Sequence, residues 1–423
     1  MKGLHCMKAA WVYEMKFSFR SFNHHYSTLI LSILFIICAL NVGYTQTSRD
    51  SVAIPNVWTD SSTGHTIVRL SRRYGDNTSF YFHNNPFIRS ADGSSDWMLY
   101  YGSIGQERQL FVVDLATQKS TQLTHQTLPM TGEIVARKHR EALYQCGDTV
   151  FATQIDTHIT RVLYVYPDSI HGTITTLNAD ETLLAGTFNT GDAEQSIIKQ
   201  YPFKSQFFKR IYEAHIPHFL FIIDLQSKSL KVIHRENEWT NHVQFSPTDP
   251  NCLMYCHEGP WEKVDRIWII DVRDGAPRLM HKRTMVNEIA GHEFWAPDGT
   301  TIWFDLQMPK SENFFLAGVS LATGREVRYR HQRNEWSIHY NTIPEQTLFC
   351  GDGADSAHVA HGKDASWIYL FHPNGDHFSA ERLVNMKNHH YQLEPNVHFS
   401  PDGKWIIFRS NMFGPTNVFA VKL

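Results

Sequence analysis

The chain has 423 residues, and its 39 lysines and arginines nearly balance its 42 aspartates and glutamates, for a formal net charge of −3. This balance excludes the strongly basic footprint of a nucleic-acid-binding protein. The length is sufficient for one large domain or two ordinary ones. Histidine is abundant, with 25 residues, and aromatic residues make up 13% of the chain, a composition that suits a carbohydrate site without proving one.

Residues 1–45 are predicted to be a secretory signal peptide. Basic residues precede an apolar run over residues 28–42, and the small residues Gly43 and Thr45 lie at −3 and −1 of a cleavage site before Gln46. The alternative is a membrane anchor, but the run is shorter than the ~20 apolar residues that a spanning helix needs. We therefore expect a periplasmic or secreted protein without stable membrane insertion.

Four cysteines follow this segment, at positions 146, 252, 256 and 350. Cys252 and Cys256 lie on one predicted strand, where four residues span ~13 Å. That separation is too large for a disulfide. We expect mostly buried free thiols.

Residues 46–423 contain a repeat that indicates a single all-β domain. Turn-plus-strand units begin near residues 90, 136, 178, 246, 296, 343 and 400, and several continue into a second apolar strand, such as "LFVVDLATQKS" and "RIWIIDVRDGA". Runs of this kind, separated by Asp, Gly and Pro, are typical of four-stranded antiparallel blades. We predict a seven-bladed β-propeller, closed by pairing of the C-terminal "NVFAVKL" with "HTIVRLS", which removes the exposed edge.

The third interval of the repeat is oversized and holds an insertion at about residues 195–217. Its basic residues Lys199, Lys204, Lys209 and Arg210 have an intermittent helical spacing. One interpretation is a solvated helix on the rim of the propeller. The other is a basic lip over an acidic ligand.

One polar position recurs in the same register of successive units. It is His242 in "HVQFSPTD", His292 in "HEFWAPDG", His339 in "HYNTIPEQ" and Asn396 in "NVHFSPDG". The inner strand of each propeller blade lines the central channel, so these four residues are predicted to meet in one funnel. A single such histidine is more often structural, but four equivalent positions favour a site.

Further candidates lie around this register. His257 and Arg266 come from "CHEGPWEKVDRIW", and His83 comes from "FYFHNNPF". We expect His83, His242 and His257 to bind substrate. By period-two alternation Glu293 is expected to point away from the funnel and to play a supporting or structural role.

A possible metal segment precedes the last turn. Alternation places Gln392, Glu394, Asn396 and His398 of "QLEPNVHF" on one face of a strand. Imidazole with carboxylate or amide oxygen suits Mn²⁺, Zn²⁺ or Ca²⁺. The chain contains no HExxH, GxSxG or phosphate-loop motif, and "GDGAD" from Gly351 is interpreted as a turn.

These stretches resemble the oligogalacturonate lyases, which are seven-bladed propellers that finish pectin breakdown. "CHEGPW…VDRIW", "GHEFWAPDG", "LFCGDGAD" and "FSPDGKWIIFRSNMFG" carry the resemblance from about residue 241 to the end, and "YFHNNPF" extends it more loosely into the first half. The resemblance implies an enzyme that cleaves short oligogalacturonides by β-elimination to unsaturated uronates. Its partner is then an acidic oligosaccharide.

The resemblance also implies roles for single residues. His292 resembles the Brønsted base, Arg266 the group that neutralises a substrate carboxylate, and His339 a metal ligand. The family's remaining ligands lie in a Q-x-x-H-x-H segment, whose two histidines become Glu394 and Asn396 in this chain, while Gln392 is off by one position. This harder donor set favours a divalent ion such as Mn²⁺, with Ca²⁺ or no metal as alternatives.

Two other functions are compatible with the sequence. The altered metal segment favours a lyase for other uronic-acid oligosaccharides, of the ulvan or rhamnogalacturonan type. A non-catalytic periplasmic binding propeller would carry the same "SPDG" repeats, although the positions of His292, His339 and Arg266 argue for an enzyme. The sequence leaves the sugar, the metal and the oligomeric state open.

Overall fold

Six sheets follow one another along residues 53–423, the part of the chain that this computed structural model describes. One of them has eight strands and contains two antiparallel four-stranded blades joined by a single parallel pair, Arg330 with His377, so the sheets form seven blades. The first strands of several neighbouring sheets contact each other, so they surround a central channel and the later strands lie further out. This arrangement confirms the predicted seven-bladed β-propeller of four-stranded antiparallel blades. The predicted signal peptide, residues 1–45, lies outside the described residues.

The strands follow the chain blade by blade. Two strands precede the first blade: β1 (Val57–Thr59) and β2 (Thr66–Arg69). The first blade contains β3 (Asn77–Thr78), β4 (Phe87–Arg89), β5 (Asp96–Ile104), β6 (Glu107–Asp114) and β7 (Ser120–Gln122). The second contains β8 (Met130–Ala136), β9 (Glu141–Cys146), β10 (Thr149–Gln154) and β11 (Thr160–Val165). The third contains β12 (Thr173–Leu177), β13 (Leu183–Asn189), β14 (His218–Asp224) and β15 (Ser229–Glu236).

The strands of the remaining blades are also consecutive in the chain. The fourth contains β16 (Thr240–Phe245), β17 (Cys252–His257), β18 (Ile267–Asp271) and β19 (Pro277–Leu279). The fifth contains β20 (Ile289–Trp295), β21 (Thr301–Gln307), β22 (Phe314–Ser320) and β23 (Glu326–His331). The sixth contains β24 (Tyr340–Thr342), β25 (Phe349–Gly351), β26 (Trp367–Asn374) and β27 (His377–Asn385). The seventh contains β28 (His398–Phe399), β29 (Trp405–Ser410) and β30 (Asn417–Lys422).

The seventh blade joins the two ends of the described chain. Strand β2 pairs antiparallel with β30, with Ile67 opposite Val421, and β1 pairs with β2. The predicted pairing of "HTIVRLS" with "NVFAVKL" is therefore confirmed. Closure of this kind leaves no free edge at the point where the ring would otherwise open.

A repeated turn links the inner strand of a blade to the next strand. In the "SADG", "APDG" and "SPDG" segments the N–H of Gly93, Gly299 and Gly403 donates to a carbonyl three residues earlier, at 2.9 Å in each case. Each of these glycines has a positive φ, between 67° and 72°. Glycine adopts this left-handed conformation without a steric penalty, which explains why the turn recurs in the sequence.

The hydrophobic core lies between adjacent blades. One cluster, for example, joins Leu99 and Leu110 of the first blade to Ala142 and Tyr144 of the second. The four cysteines are free, as expected, and three of them are buried. Within residues 53–423 no helix has the length and apolar content needed to cross a bilayer.

The insertion of the third blade forms two helices, α1 (Ala193–Gln200) and α2 (Lys204–Ala214). Single 3-10 turns lie at Trp261–Lys263 and Arg333–Glu335. Helix α1 buries none of its residues, whereas α2 buries Ile211. Helix α2 is therefore fixed to the propeller by its apolar face.

Candidate active site

Bulges in the inner strands redirect the recurring histidines. The pairing register of β16 shifts between Asn241 and Gln244, and that of β20 shifts between Gly291 and Phe294. His242 and His292 lie inside these shifts with left-handed φ values of 49° and 50°. Such φ values are uncommon for residues other than glycine, and a bulge re-aims a side chain. The recurring sequence register thus marks a backbone feature as well as a residue type.

The redirected side chains meet in one cluster, which we call the histidine cluster: His83, His242, His292 and His339 around Tyr81. Ring centroids are 5.0 Å apart for His292 and His339 and 5.6 Å apart for His83 and His242. The Tyr81 ring lies 5.1 Å from His339 and 5.7 Å from His242. The structure therefore brings together four of the predicted site residues. Tyr81 was not predicted, although it directly precedes "FHNN" in the sequence.

His339 is held by a buried carboxylate. Its Nδ1 lies 2.8 Å from Oδ2 of Asp352, and its backbone N–H donates to the other carboxylate oxygen, also at 2.8 Å. A hydrogen bond donated by Nδ1 leaves Nε2 as the free acceptor. Nε2 faces Oη of Tyr81 at 3.3 Å and Oε2 of Glu394 at 3.7 Å. Asp352 lies in the "GDGAD" stretch, which was interpreted from the sequence only as a turn.

His292 is unpaired. Neither ring nitrogen has a hydrogen-bond partner among residues 53–423, and Nδ1 is buried. Trp261 packs edge-on against the ring, with centroids 5.4 Å apart. Burial, and then the neighbouring His339 and Arg266, lower the pKa of His292 well below its usual value. The ring is therefore neutral near pH 7 and can accept a proton.

Arg266 is buried between two carboxylates. Its Nε donates to Oε2 of Glu293 at 2.7 Å, and Nη1 donates to Oε1 of Glu258 at 2.8 Å. Burial alone would lower the pKa of Arg266, but Cys256, Glu258 and Glu293 raise it well above its usual value. The guanidinium is thus permanently charged, and its charge is already compensated inside the protein. A substrate carboxylate would have to share it with these two groups.

Glu293 does not point away from the cluster, contrary to the expectation from alternation. Its Oε1 lies 3.0 Å from Nδ1 of His242, close enough for an ion pair but off the hydrogen-bond direction. Burial raises the pKa of Glu293, but Arg266 and His242 outweigh it and hold the pKa well below the usual range. The bulge in β20 breaks the period-two pattern on which the expectation depended.

His257 does not join the histidine cluster, and its role in substrate binding stays a prediction. Its Nε2 lies 3.0 Å from Oε1 of Glu236, and its ring lies 5.0 Å from that of Trp268. The following residue, Glu258, turns instead to Arg266. Alternation at the end of β17 sends the two neighbouring side chains to opposite sides.

The predicted metal segment is also corrected. Strand β28 contains only His398 and Phe399, so the preceding residues share no strand face. Gln392 is exposed in a turn. Asn396 is fully buried, but its Oδ1 accepts from the N–H of Phe82 and its Nδ2 donates to the carbonyl of Glu394, both at 2.9 Å. Neither residue is placed as a metal ligand, because one faces solvent and the other holds the backbone.

Two side chains, His339 and Glu394, remain as candidate ligands of a metal ion. His398, the other histidine of the segment, donates from Nε2 to the carbonyl of Asn84 at 3.1 Å. The described residues contain no group of three His, Cys, Asp or Glu side chains arranged to hold a metal. Nε2 of His339 and the carboxylate of Glu394 still face each other. The Asp352 hydrogen bond on the opposite nitrogen is the usual support of a metal-binding histidine, so this pair fits two positions of a divalent ion.

The comparisons with known proteins point to one family. The sequence pattern of the oligogalacturonate lyase family matches residues 52–423. The oligogalacturonate lyase of Dickeya dadantii (strain 3937) is 28% identical over 388 residues, which cover 87% of this chain and 96% of that protein.

Solved structures show the same fold. An oligogalacturonate lyase in complex with manganese superposes with a TM-score of 0.73 at 23% identity, covering 87% of this chain and 95% of that one. The oligogalacturonate lyase of Vibrio parahaemolyticus gives a TM-score of 0.72 at 21% identity, covering 86% and 96%. Because the family pattern spans the whole propeller, the chain belongs to the oligogalacturonate lyase family.

Proposed function

We propose that this propeller cleaves short oligogalacturonides by β-elimination in the histidine cluster. One observation carries the proposal: a neutral, unpaired His292 lies beside His339, whose ring is oriented by a carboxylate. A base without an internal partner can accept a proton from a substrate. The relatives that match this chain are named for the same activity.

The proposed reaction is a β-elimination across the C4–C5 bond of a uronate. Nε2 of His292 takes the C5 proton of a uronate, and the C5–H electron pair forms the double bond between C4 and C5. The C4–O bond breaks, and its oxygen leaves with the bonding electrons and takes a proton from water. A positioned general base of this kind contributes ~10²–10⁴-fold to the rate.

The surrounding residues restrict the orientation of the His292 ring and lower its pKa. Trp261 and His339 pack against its ring and restrict its orientation. The low pKa of His292 keeps it unprotonated at neutral pH. Arg266 is paired with Glu258 and Glu293, so it stabilises the negative charge that develops on the uronate carboxylate only by sharing its guanidinium with that group.

We infer that a divalent ion, with Mn²⁺ favoured over Ca²⁺, binds between His339 and Glu394. The facing Nε2 and Oε2 atoms and the Asp352 support are the observations behind this inference. A solved relative in complex with manganese supports the choice of ion. Such an ion, when bound, withdraws electron density from the uronate carboxylate and makes the C5 proton more acidic.

The test uses purified residues 46–423 with digalacturonate and follows the ultraviolet absorbance of the unsaturated product. We expect product formation that EDTA stops and added Mn²⁺ restores. Oligosaccharides containing glucuronate serve as the comparison, because a lyase for another uronic acid would cleave those instead. Absence of product from any galacturonide would contradict the proposed function.

We also propose that the protein is exported. The apolar segment before Gln46 and the expected cleavage there support this proposal. Cell fractionation followed by N-terminal sequencing tests it. A protein found in the cytoplasm with residues 1–45 intact would contradict it.

A further inference from the structure

A groove crosses the rim of the propeller between helix α2 and the turn that begins at Pro260. We call it the rim groove, and it has a volume of about 370 Å³. Its charged and aromatic lining consists of Lys204, Phe208, Lys209, Trp261, Glu262 and Lys310. Trp261 is the one residue of this lining that contacts the proposed base, His292.

Trp261 connects the rim groove to the histidine cluster. The same indole that lines the groove lies edge-on to His292, with ring centroids 5.4 Å apart. Its Nε1 donates to Oε1 of Glu258 at 3.1 Å, and this hydrogen bond fixes the ring. Trp261 is therefore shared by the rim groove and the histidine cluster.

The rim groove carries an excess of positive charge. It is lined by three lysines and one glutamate. Nζ of Lys310 lies 3.5 Å from Glu262 and Nζ of Lys209 lies 3.4 Å from Glu213. Both pairs are partly exposed, and such pairs exchange partners at little cost. Lys204 has no ion pair among the described residues, and its Nζ lies 5.6 Å from the Phe208 ring.

The walls of the groove are held in place before any ligand binds. The Phe208 ring of α2 packs against Trp239, with centroids 5.2 Å apart. Tyr212 covers Gly259, where φ is +150° and an added Cβ would lie 2.5 Å from the ring. Because α2 packs against the propeller in this way, the backbone that carries Lys204 and Lys209 is held in place beside the groove.

We propose that the rim groove binds a further uronate residue of the oligosaccharide, with Lys204 pairing with its carboxylate and the Trp261 ring packing against the sugar. This inference rests on the proposed function and names a determinant of preferred chain length. An aromatic ring beside a free cation matches a ring-shaped, anionic sugar unit.

The experiment compares trigalacturonate with digalacturonate. For Lys204→Ala we expect the ratio of kcat/KM for the trimer to that for the dimer to fall about fivefold, through KM, as expected for loss of one partly exposed ion pair. Lys199→Ala is the matched control, because Lys199 is exposed on α1 and does not line the groove. In the unmodified protein the same trimer-to-dimer ratio of kcat/KM should also fall as the salt concentration is raised, since salt screens exposed charges.

A second measurement separates binding from turnover. In the His292→Ala background, titration calorimetry should show weaker trigalacturonate binding when Lys204→Ala is added. An unchanged trimer-to-dimer ratio, or equal loss in the Lys199→Ala control, would overturn the rim groove while leaving the lyase function intact. Failure of the unmodified protein to cleave either substrate would overturn both proposals.

Discussion

Asp352 holds His339 by two hydrogen bonds at once, one from the imidazole Nδ1 and one from the backbone N–H, each 2.8 Å long. The same carboxylate accepts the N–H of Asn396 at 3.0 Å. All three residues are fully buried. One carboxylate therefore fixes the tautomer of a cluster histidine and ties the sixth blade to the start of the seventh.

Asp352→Asn should reduce activity without removing the side chain's volume. The amide cannot accept from both donors as a carboxylate does, so His339 loses its fixed orientation. We expect kcat/KM or the apparent affinity for Mn²⁺ to fall about 10–100-fold, the usual effect of changing a residue that orients a metal ligand. Steady-state kinetics at several Mn²⁺ concentrations measure both quantities.

The matched control is Asp355→Asn. Asp355 contacts His358 at 2.7 Å in the same loop, but its side chain is partly exposed. This variant should retain activity. Equal losses in the two variants would indicate a general effect on the loop rather than a specific effect on His339.

His292→Ala should lower kcat by ~10²–10⁴-fold, because it removes the proposed base. The fold should persist, since no described residue depends on a hydrogen bond from this ring. Product absorbance and the thermal unfolding midpoint test the two expectations separately. His372→Ala, at a half-exposed histidine of the sixth blade, is the control and should leave both values unchanged. Near-normal turnover of His292→Ala would rule out its role as the base.

Arg266→Met should destabilise the propeller strongly. The change leaves Glu258 and Glu293 buried without their cation, and breaking a buried pair in this way costs about 3–5 kcal/mol. Urea unfolding monitored by tryptophan fluorescence measures the loss. Adding Glu293→Gln should recover part of it, because one uncompensated charge is removed. A double variant less stable than Arg266→Met would contradict this account.

The free energy of unfolding should decrease as the pH falls from 6.5 towards 4. Burial lowers the pKa of His331 from 6.5 to about 4. The unfolded chain therefore binds a proton at this residue before the folded chain does, so the folded state loses stability across that interval and is unaffected above it. The loss from one such group is up to about 3 kcal/mol.

His331→Gln tests this contribution. The variant loses the 3.1 Å contact between Nε2 and Oη of Tyr340, so it starts from a lower stability at pH 7. Its stability should nevertheless fall less steeply than that of the unmodified protein between pH 6.5 and 4. Identical slopes in urea unfolding experiments would show that His331 does not titrate as described.

The candidate site was only partly predictable. The register of His242, His292 and His339 was visible because each precedes a turn of the same type, and the structure places all three in one cluster. The shared strand face predicted for Gln392 and Asn396 is not formed, because β28 begins at His398. Proline at position 395 interrupts this segment, since it cannot donate a ladder hydrogen bond.

The number of blades, the closure of the ring and the position of the recurring histidines could all be inferred from the amino-acid sequence. These features depend on local patterns: glycine-containing turns, apolar runs and their spacing. Only the folded chain reveals that Arg266 is compensated by two carboxylates, that His257 faces Glu236 and that Asp352 and Tyr81 flank His339. Those contacts join residues of different strands and loops, from 8 to 258 positions apart in the chain. The bulges that aim the side chains also break the alternation from which their directions would otherwise be inferred.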